Sequence, residues 1–442
     1  MKRPSCRERS GEVVELRATR ALYRLSLPGL LLILFGVQSL NMTQGILKLT
    51  GRFSPGLILA VSIAGWVTLA VAVACLPFSN RLRFGSLALF AFAAMALPTL
   101  TLVIFRWRTG IPLDVHDGMF QTELVTGNLL QGHDPYGTDF TRTELMRWFH
   151  YTPEGAAIPH HYIYYPMVVL IGLPLYLLER AAGLTVDLRP MLLVAAALAF
   201  AVILKLPFNW RARYILAVLL VLDPFFWWME GRNDILWLMP VILAALLALE
   251  GRWPIASWAL GLASALKFFA WPFAAMMAVA LVFRWRRGLL TRNAMLTGVV
   301  GLLLPLALTV TPFLVWNAGA FWRDTVGWLL ENPPGFPIYG FGLGEALLLT
   351  NVVSSPSAAF PFALVQAAIA LPLGLFGLFR VAKDPTVGGV LGPAAVVLAV
   401  VVLCGRFTND NYLAAAVFLL VLAITARKEE TAAAPVQLRK AA

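Results

Sequence analysis

The class of fold is decided by the stretch LILAVSIAGWVTLAVAVACLP, residues 57–77. It contains no charged residue, and its length matches the roughly 20 residues that an α-helix needs to cross the hydrocarbon core of a membrane. Six further runs approach or exceed this length: 28–46, 84–105, 190–208, 294–316, 358–379 and 387–404. Shorter apolar runs lie at 162–178, 214–229, 234–249, 254–266, 268–283 and 412–426. The sequence therefore predicts an all-α membrane protein, a polytopic bundle of about 11–13 transmembrane helices.

Composition and charge support this class and disfavour others. Hydrophobic residues make up 60% of the chain and charged residues 13%, against about 25% charged residues in a soluble domain. The net charge of +12 comes from short clusters between apolar runs, such as RLR at 81–83 and RWRR at 284–287, which is the positive-inside pattern. We therefore expect membrane lipids as partners and no nucleic acid. The cysteines Cys6, Cys75 and Cys404 are too widely spaced to indicate a disulfide framework or a metal cluster.

Charge also predicts the domain organisation. Residues 1–26 form a basic segment that we expect on the cytoplasmic side, 27–426 a single transmembrane domain, and 427–442 a cytoplasmic tail. Counting crossings from both ends places the long polar loop 107–161 on the outer face. The counts agree only if 162–178, with its two prolines, is re-entrant or interfacial, which requires a protein cavity around it. The other polar segments on the outer face are then 231–234, residue 267, and 405–412.

The outer loop contains all five histidines of the chain, from His116 to His161. Within it, Asp117 precedes an amphipathic stretch, 118–130, that we predict to be a helix ending before Gly132. Asp117 could simply cap this helix. It could also act as a general base, because a partly dry cleft raises the basicity of a carboxylate. Asp114, three residues earlier, is the second candidate for this role.

Two histidines, His160 and His161, stand before a run of tyrosines. Adjacent side chains point in different directions and no metal-ligand spacing accompanies them, so we predict no metal site. We expect the histidines to bind a phosphate oxygen, while Tyr162 and Tyr165 hold a sugar or a lipid segment. An interfacial aromatic belt is the alternative for the tyrosines.

Cations also lie between apolar runs on the predicted outer face. Arg232, followed by Asn233 and Asp234, could snorkel to the surface. Lys267 has long apolar sequence on both sides, and a cation inside a membrane costs several kcal/mol unless it is paired or faces a polar cavity. An anionic partner such as a lipid phosphate would satisfy it. Two further polar residues expected on the same face are Arg406 and Asp410.

Six motifs occur in order along the chain. They are DGMFQTE at 117–123, LLQGHDPY at 129–136, HYIYYP at 161–166, GRNDIL at 231–236, GLASALK at 261–267 and RFTNDNYL at 406–413. Their order resembles the GT-C superfamily of integral membrane glycosyltransferases. Within it, the likeness is to the bacterial polyprenyl-phosphate-sugar-dependent enzymes that include polyprenol-phosphate-mannose mannosyltransferases, and it spans about residues 84–415.

The resemblance implies a reaction. An acidic residue of the first large outer loop deprotonates the hydroxyl of a lipid or glycan acceptor, which displaces polyprenyl phosphate from the sugar with inversion. Asp117 matches that position best, with Asp114 as the fallback. The metal-binding Asp-x-Asp of metal-dependent relatives is absent, so the resemblance implies no metal. Lys267 and Arg232 would contact the leaving phosphate. Mannose is one candidate sugar, and the site would lie on the outer face of a bacterial cytoplasmic membrane.

The sequence argues against two other kinds of protein, a nucleotide-dependent enzyme and a transporter. No phosphate-binding Gly-rich motif or soluble nucleotide-binding segment is present in the sequence, which argues against a nucleotide-dependent enzyme, and no cofactor is expected. The alternative to the transferase is a transporter or flippase for a lipid-linked or small polar substrate. Transporters favour internal repeats and charges at the membrane midplane. The halves of this chain show no repeat, and the carboxylates fall in a loop, so the sequence favours the enzyme.

Overall fold

The protein is mostly helical. The computed structural model describes residues 6–149, 160–223, 229–330 and 337–441. The helices of the first half are α1 (Cys6–Leu49), α2 (Pro55–Cys75), α3 (Asn80–Ala91), α4 (Leu97–Thr109), α5 (Asp117–Leu130), α6 (Leu145–Trp148), α7 (Pro166–Ala181), α8 (Arg189–Lys205) and α9 (Trp210–Val221). Those of the second half are α10 (Asp234–Leu249), α11 (Trp253–Leu266), α12 (Trp271–Arg286), α13 (Arg292–Thr325), α14 (Leu343–Leu349), α15 (Phe362–Lys383), α16 (Val387–Leu403) and α17 (Asp410–Ala441). A π-helical segment, Phe92–Ala96, joins α3 to α4.

Seven helical segments among the described residues are long and apolar enough to cross a membrane. They are Leu27–Leu49, Pro55–Cys75, Asn80–Thr109, Phe268–Arg286, Arg292–Thr325, Phe362–Lys383 and Asp410–Ala432. Three shorter apolar helices are α10, α11 and α16. These helices agree with the predicted all-α membrane protein, while the count of 11–13 crossings stays a prediction. The runs predicted at 190–208 and 387–404 form helices of only 17 residues, α8 and α16.

The chain divides into two compact units, and the single transmembrane domain over 27–426 stays a prediction. The first unit consists of the described parts of 1–98 and 209–224, and the second of the described parts of 99–208 and 225–442. Helix α1 begins at Cys6 and α17 runs to Ala441, so neither terminal segment is separated from its apolar helix by a break.

Small side chains bring the helices of the first unit close together. A Cβ atom added to Gly65 of α2 would overlap the Leu40 side chain of α1, the kind of close approach that small residues permit in membranes. The hydroxyl of Thr43 donates to the Ala94 carbonyl in the π-helical segment (2.9 Å). This buried bond attaches α1 to the π-helical segment.

In the second unit, α10 is the most enclosed helix, and α8 and α11 pack against it. Helices α11 and α13 cross where a Cβ on Gly261 would overlap the Gly301 carbonyl oxygen. Helix α13 is kinked at Asn317, whose backbone is not helical. Beyond this kink its last turns reach the polar loops. Two short parallel strands, β1 (Tyr339–Gly340) and β2 (Phe407–Thr408), pair at the start of α17.

The segment with two prolines forms a single helix. Helix α7 begins at Pro166, where proline suits the first turn, and continues through Pro174. Its 16 residues are fewer than the roughly 20 of a full crossing. Whether α7 re-enters or lies at the interface stays a prediction.

Candidate functional site

The predicted loop helix is α5, and it begins at Asp117. Asp117 is the first helical residue and its Oδ1 accepts from the Gly118 backbone N–H (2.7 Å). The residue before it, His116, contacts Asp117 Oδ1 through Nδ1 (3.1 Å), and its own N–H donates to the Glu230 carbonyl (2.6 Å). The Asp117 side chain is 23% exposed. It therefore combines a fixed position with access from solvent.

A tyrosine lies against this helix start. A Cβ atom added to Gly118 would overlap the hydroxyl of Tyr164, with two ring carbons only 2.7 Å away. Only glycine leaves room for the ring here. The Tyr164 hydroxyl senses the charges of Asp117 and Asp234, and burial raises its pKa well above the usual value. A neutral hydroxyl thus lies next to the candidate base.

Arg232 contributes the first cation of the site. The chain reaches it through Gly231, whose φ of +89° suits glycine. Its guanidinium donates to Asp410 Oδ1 (2.5 Å), to Glu230 Oε2 (3.2 Å) and to Asn411 Oδ1 (3.3 Å). Arg232 therefore joins the segment before α10 to the start of α17, as expected for residues on a common face.

Lys267 contributes the second cation, and it has an internal partner. Its Nζ donates to Asp234 Oδ1 (2.6 Å) and lies 4.9 Å from the centre of the Phe269 ring and 4.7 Å from that of Tyr412. Asp234 also accepts from Trp237 Nε1 (2.8 Å) and from Asn411 Nδ2. Lys267 has no carboxylate near it in sequence, but the fold supplies one in Asp234. The pairing was hidden because Asp234 is remote in sequence and meets Lys267 only in the fold.

These groups form one electrostatic cluster. The ring of His116 is influenced by Asp117, Arg232, Lys267 and Asp234 together. Partial burial lowers its pKa, although Asp117 acts in the opposite direction. Burial raises the pKa of Glu230 to about 7 against the effect of Arg232. A carboxyl with this pKa exchanges its proton near neutral pH, so the charge facing Arg232 is variable.

Asp114 lies in a strained, partly buried position beside the cluster. Its φ is +50°, a conformation that a non-glycine residue adopts only when its surroundings hold it there. Burial raises its pKa, while Arg189 opposes the shift. Among the described residues its Oδ2 atom has no hydrogen-bond partner. Asp114 thus remains a candidate base beside Asp117.

A buried network of charged residues holds this loop in place. Arg189 is fully buried and donates to the carbonyl oxygens of Leu113 (3.1 Å) and Met229 (3.0 Å) while it pairs with Asp187 (2.6 Å). It thereby fixes the segment before α5 to the segment before α10. None of these contacts was predicted, although Asp187-x-Arg189 between two apolar runs was a visible signal.

Helix α5 is attached to the same network. Glu123 accepts from both terminal nitrogens of Arg106 (2.5 and 3.1 Å) and from the Leu188 N–H (3.0 Å). Burial raises the pKa of Glu123 to about 6. The paired donors compensate the burial of this carboxylate, since an unpaired charge there would be costly.

The two histidines of the predicted phosphate site diverge. His161 is buried and contacts Asp324 Oδ1 at the end of α13 (3.4 Å). Asp324 also accepts from the Gly137 and Tyr162 backbone N–H groups (2.7 and 3.4 Å), so it ties two loop motifs to α13. His160 is exposed and lies 3.5 Å from Asp139. The expected joint phosphate contact of these two histidines is therefore not formed.

The tyrosines form an aromatic core rather than an open binding face. Tyr162 is fully buried and its hydroxyl lies 3.3 Å from the Thr122 hydroxyl. Its ring centre is 5.7 Å from that of Tyr164, which connects the core to the Asp117 cluster. Tyr165 is 6.1 Å from Trp271, whose ring is 45% exposed. Of the two predicted tyrosines, Tyr165 lies nearer to the apolar surface.

The remaining predicted residues differ in position. Asn233 is buried directly before α10. Asp410 belongs to the cluster through Arg232. Arg406 donates to the carbonyl oxygens of Pro356 (2.6 Å) and Ala358 (2.9 Å), so its guanidinium binds a loop. No group of three or more His, Cys, Asp or Glu within the described residues is arranged to hold a metal ion.

Comparison with known proteins adds no relative: no family model, no curated protein and no solved structure matches the chain. The likeness to GT-C glycosyltransferases therefore rests on the motifs and stays a prediction.

Proposed function

We propose that the protein is an integral membrane glycosyltransferase. It moves a sugar, with mannose as one candidate, from a polyprenyl-phosphate donor to a hydroxyl of a lipid or glycan acceptor, with inversion. The remaining features of the proposal are 11–13 crossings, a bacterial cytoplasmic membrane and a site on its outer face. The observation that carries the proposal is the position of Asp117: it is accessible to solvent and contacts His116, whose ring is influenced electrostatically by Arg232 and Lys267.

Asp117 is the proposed general base. Its carboxylate takes the proton of the acceptor hydroxyl, the acceptor oxygen bonds to the anomeric carbon, and the bond from that carbon to the phosphate oxygen breaks. Polyprenyl phosphate leaves with the electron pair of that bond. The Gly118 N–H, which donates to Asp117 Oδ1, holds the carboxylate in place, so its orientation costs little at the moment of reaction.

Arg232 and Lys267 would stabilise the phosphate on which charge develops. Both cations already have carboxylate partners, so the phosphate has to share them. Glu230 makes this feasible for Arg232, because its pKa of about 7 allows it to take up a proton and free the Nε–H of the guanidinium, while the bond to Asp410 remains. Lys267 has three ammonium protons, and its contact with Asp234 uses one of them.

The proposal is tested by turnover of purified protein in detergent, with polyprenyl-phosphate-mannose as donor probe and mass analysis of the products. Asp117→Asn should lower turnover at least about 10²-fold, the lower range for loss of a general base, and leave donor binding nearly unchanged. Asp139→Asn, at an exposed carboxylate, is the matched control. If Asp114→Asn abolishes turnover and Asp117→Asn does not, the base is Asp114. Donor that is bound but never consumed by the wild type would refute the enzyme.

A further inference from the structure

In the first unit, the acidic residues are confined to 1–26 and to Asp223. The intervening residues 27–98 and 209–222 include no Asp or Glu, yet they contain Arg83 and Arg211. Helices α3 and α9, which bring these arginines together, pack against each other. Arginine in a membrane helix requires a partner because its charge is expensive to bury. The uncompensated charge therefore calls for an anion.

Two of the guanidinium groups share one aromatic ring. Arg83 lies 3.7 Å from the centre of the Trp210 ring and Arg211 lies 5.2 Å from it. Arg83 is only 6% exposed, so it does not reach out into water. It donates to the carbonyl oxygens of Leu76 and Phe78 (2.8 and 2.6 Å), which fixes its position. Among the described residues, no carboxylate forms a salt bridge with Arg83 or Arg211.

Polar atoms beside these cations have no partner. The hydroxyl of the fully buried Tyr214, which interacts electrostatically with Arg83, makes no hydrogen bond to any described residue. The buried Nε of Arg211 likewise has none within the described chain. A buried polar atom left unpaired costs about 1–3 kcal/mol. Unpaired donors on a hydroxyl and a guanidinium, at the same place, are what an acceptor-rich anion would satisfy.

The surroundings identify the kind of anion. Helices α3 and α9 both begin here, after the caps Ser79 and Asn209, so the positive ends of their dipoles add to the arginine charge. Phe78 and Leu82 next to Arg83 are more than half exposed and present apolar surface. An anion that also brings hydrocarbon would cover both the cations and this surface.

We propose that Arg83, Arg211 and Tyr214, with Trp210 between the two guanidinium groups, form a binding site for the phosphate of an anionic phospholipid. The head group accepts hydrogen bonds from the arginines and the tyrosine hydroxyl, while the acyl chains lie along Phe78 and Leu82. Basic pockets between membrane helices recognise anionic head groups in this way. The site lies entirely within the first unit and does not depend on the proposed transferase activity.

The test uses the full-length protein in a neutral detergent. Native mass spectrometry measures binding of phosphatidylglycerol, of zwitterionic phosphatidylcholine and of free glycerol 3-phosphate. We expect the wild type to prefer phosphatidylglycerol at least about tenfold, and the variant Arg211→Gln to lose most of that preference. Arg52→Gln, at an exposed cation of the same unit, is the matched control and should bind as the wild type does. Arg83 is not replaced, because its loss would also release two backbone carbonyls.

Tyr214→Phe separates binding from folding. Because the hydroxyl has no partner among the described residues, its removal should leave the apparent Tm of lipid-free protein unchanged or higher. The same variant should weaken phosphatidylglycerol binding several-fold. Unchanged lipid binding in both Arg211→Gln and Tyr214→Phe overturns the proposal. Equal affinity for phosphatidylcholine, or equal binding of glycerol 3-phosphate, overturns the assignment to an anionic lipid.

Discussion

The pair formed by Lys267 and Asp234 allows a structural role to be separated from a functional one. Asp234 has only 2% of its side chain exposed and Lys267 only 12%. Lys267→Met leaves the Asp234 carboxylate buried without its counter-ion. Removing one partner of a buried ion pair costs about 3–5 kcal/mol, because the remaining charge is uncompensated. The single variant should therefore be unstable whatever Lys267 does for the substrate.

The double variant Lys267→Met/Asp234→Asn removes both charges. Replacing a buried pair by uncharged groups of similar volume is often nearly neutral for stability. Asn at position 234 keeps an oxygen that can accept from Trp237 Nε1, and Asn411 can turn its amide to face the new side chain. We therefore expect most of the lost stability to return.

Apparent Tm in detergent measures the first effect. At about 2 °C per kcal/mol, the single variant should melt roughly 5–10 °C below the wild type and the double variant within a few degrees of it. Lys205→Met, at an exposed lysine, is the control and should leave the Tm unchanged. Binding of polyprenyl phosphate measures the second effect. If Lys267 contacts the phosphate, the folded double variant should still bind it at least about tenfold more weakly, as for loss of a charged hydrogen bond. A double variant that binds and turns over like the wild type would refute the phosphate contact and leave Lys267 as the counter-ion of Asp234.

Three further predictions follow from the site. The pKa of Glu230 is raised to about 7 from about 4.5 in the unfolded chain, so the folded state binds its proton more tightly. The free energy of unfolding should therefore fall by up to about 3 kcal/mol as pH rises from about 4.5 through about 7, and the apparent Tm measured against pH should show this fall. A Glu230→Gln variant that keeps the wild-type slope of Tm against pH would contradict the prediction. Gly118→Ala should displace Tyr164 and lower both turnover and Tm, whereas Gly45→Ala, where a Cβ meets nothing within 4 Å, should change neither. A Gly118→Ala variant with wild-type turnover and Tm would mean that the Tyr164 ring moves freely. In a cysteine-free background, single cysteines at positions 138, 232 and 409 should react with an impermeant thiol reagent from outside only. Labelling of any one of them from the cytoplasmic side alone would disprove the common outer face.

The class of fold could be predicted because it depends on local properties. A run such as 57–77 is apolar enough to cross a membrane whatever its neighbours are, and it forms α2. Helix α5 could also be predicted, since its amphipathic periodicity begins after Asp117 and Gly132 marks its end. The number of crossings could not, because α8 and α16 have lengths between those of buried and spanning helices. Their placement depends on packing partners and not on composition.

The site was predictable only as a set of segments. Charge counting placed 231–234, Lys267 and Asp410 on one face, and these residues do form one cluster. Their pairings depend on which side chains meet after folding, and Lys267 accordingly met Asp234, a partner that its sequence neighbours did not suggest. The adjacent histidines were the reverse case. Proximity in sequence suggested a joint role for His160 and His161, but the two side chains contact different carboxylates, Asp139 and Asp324.

The buried charged residues that support the outer loop could not be predicted from the sequence. Arg106 and Arg189 lie near helix ends and Glu123 lies on a loop helix, positions where a charged side chain usually reaches water and needs no partner. Here they are buried, and each has its partner within the chain. An enclosed network of this kind is tolerated only when every charge is compensated, and Arg189 uses its remaining donors on the backbone that holds Asp114 in its strained conformation. The loop that presents Asp117 is thus held by charged side chains that, from sequence alone, would be expected to face solvent. Loss of Arg189 should release this loop even though its side chain does not touch the proposed substrate position.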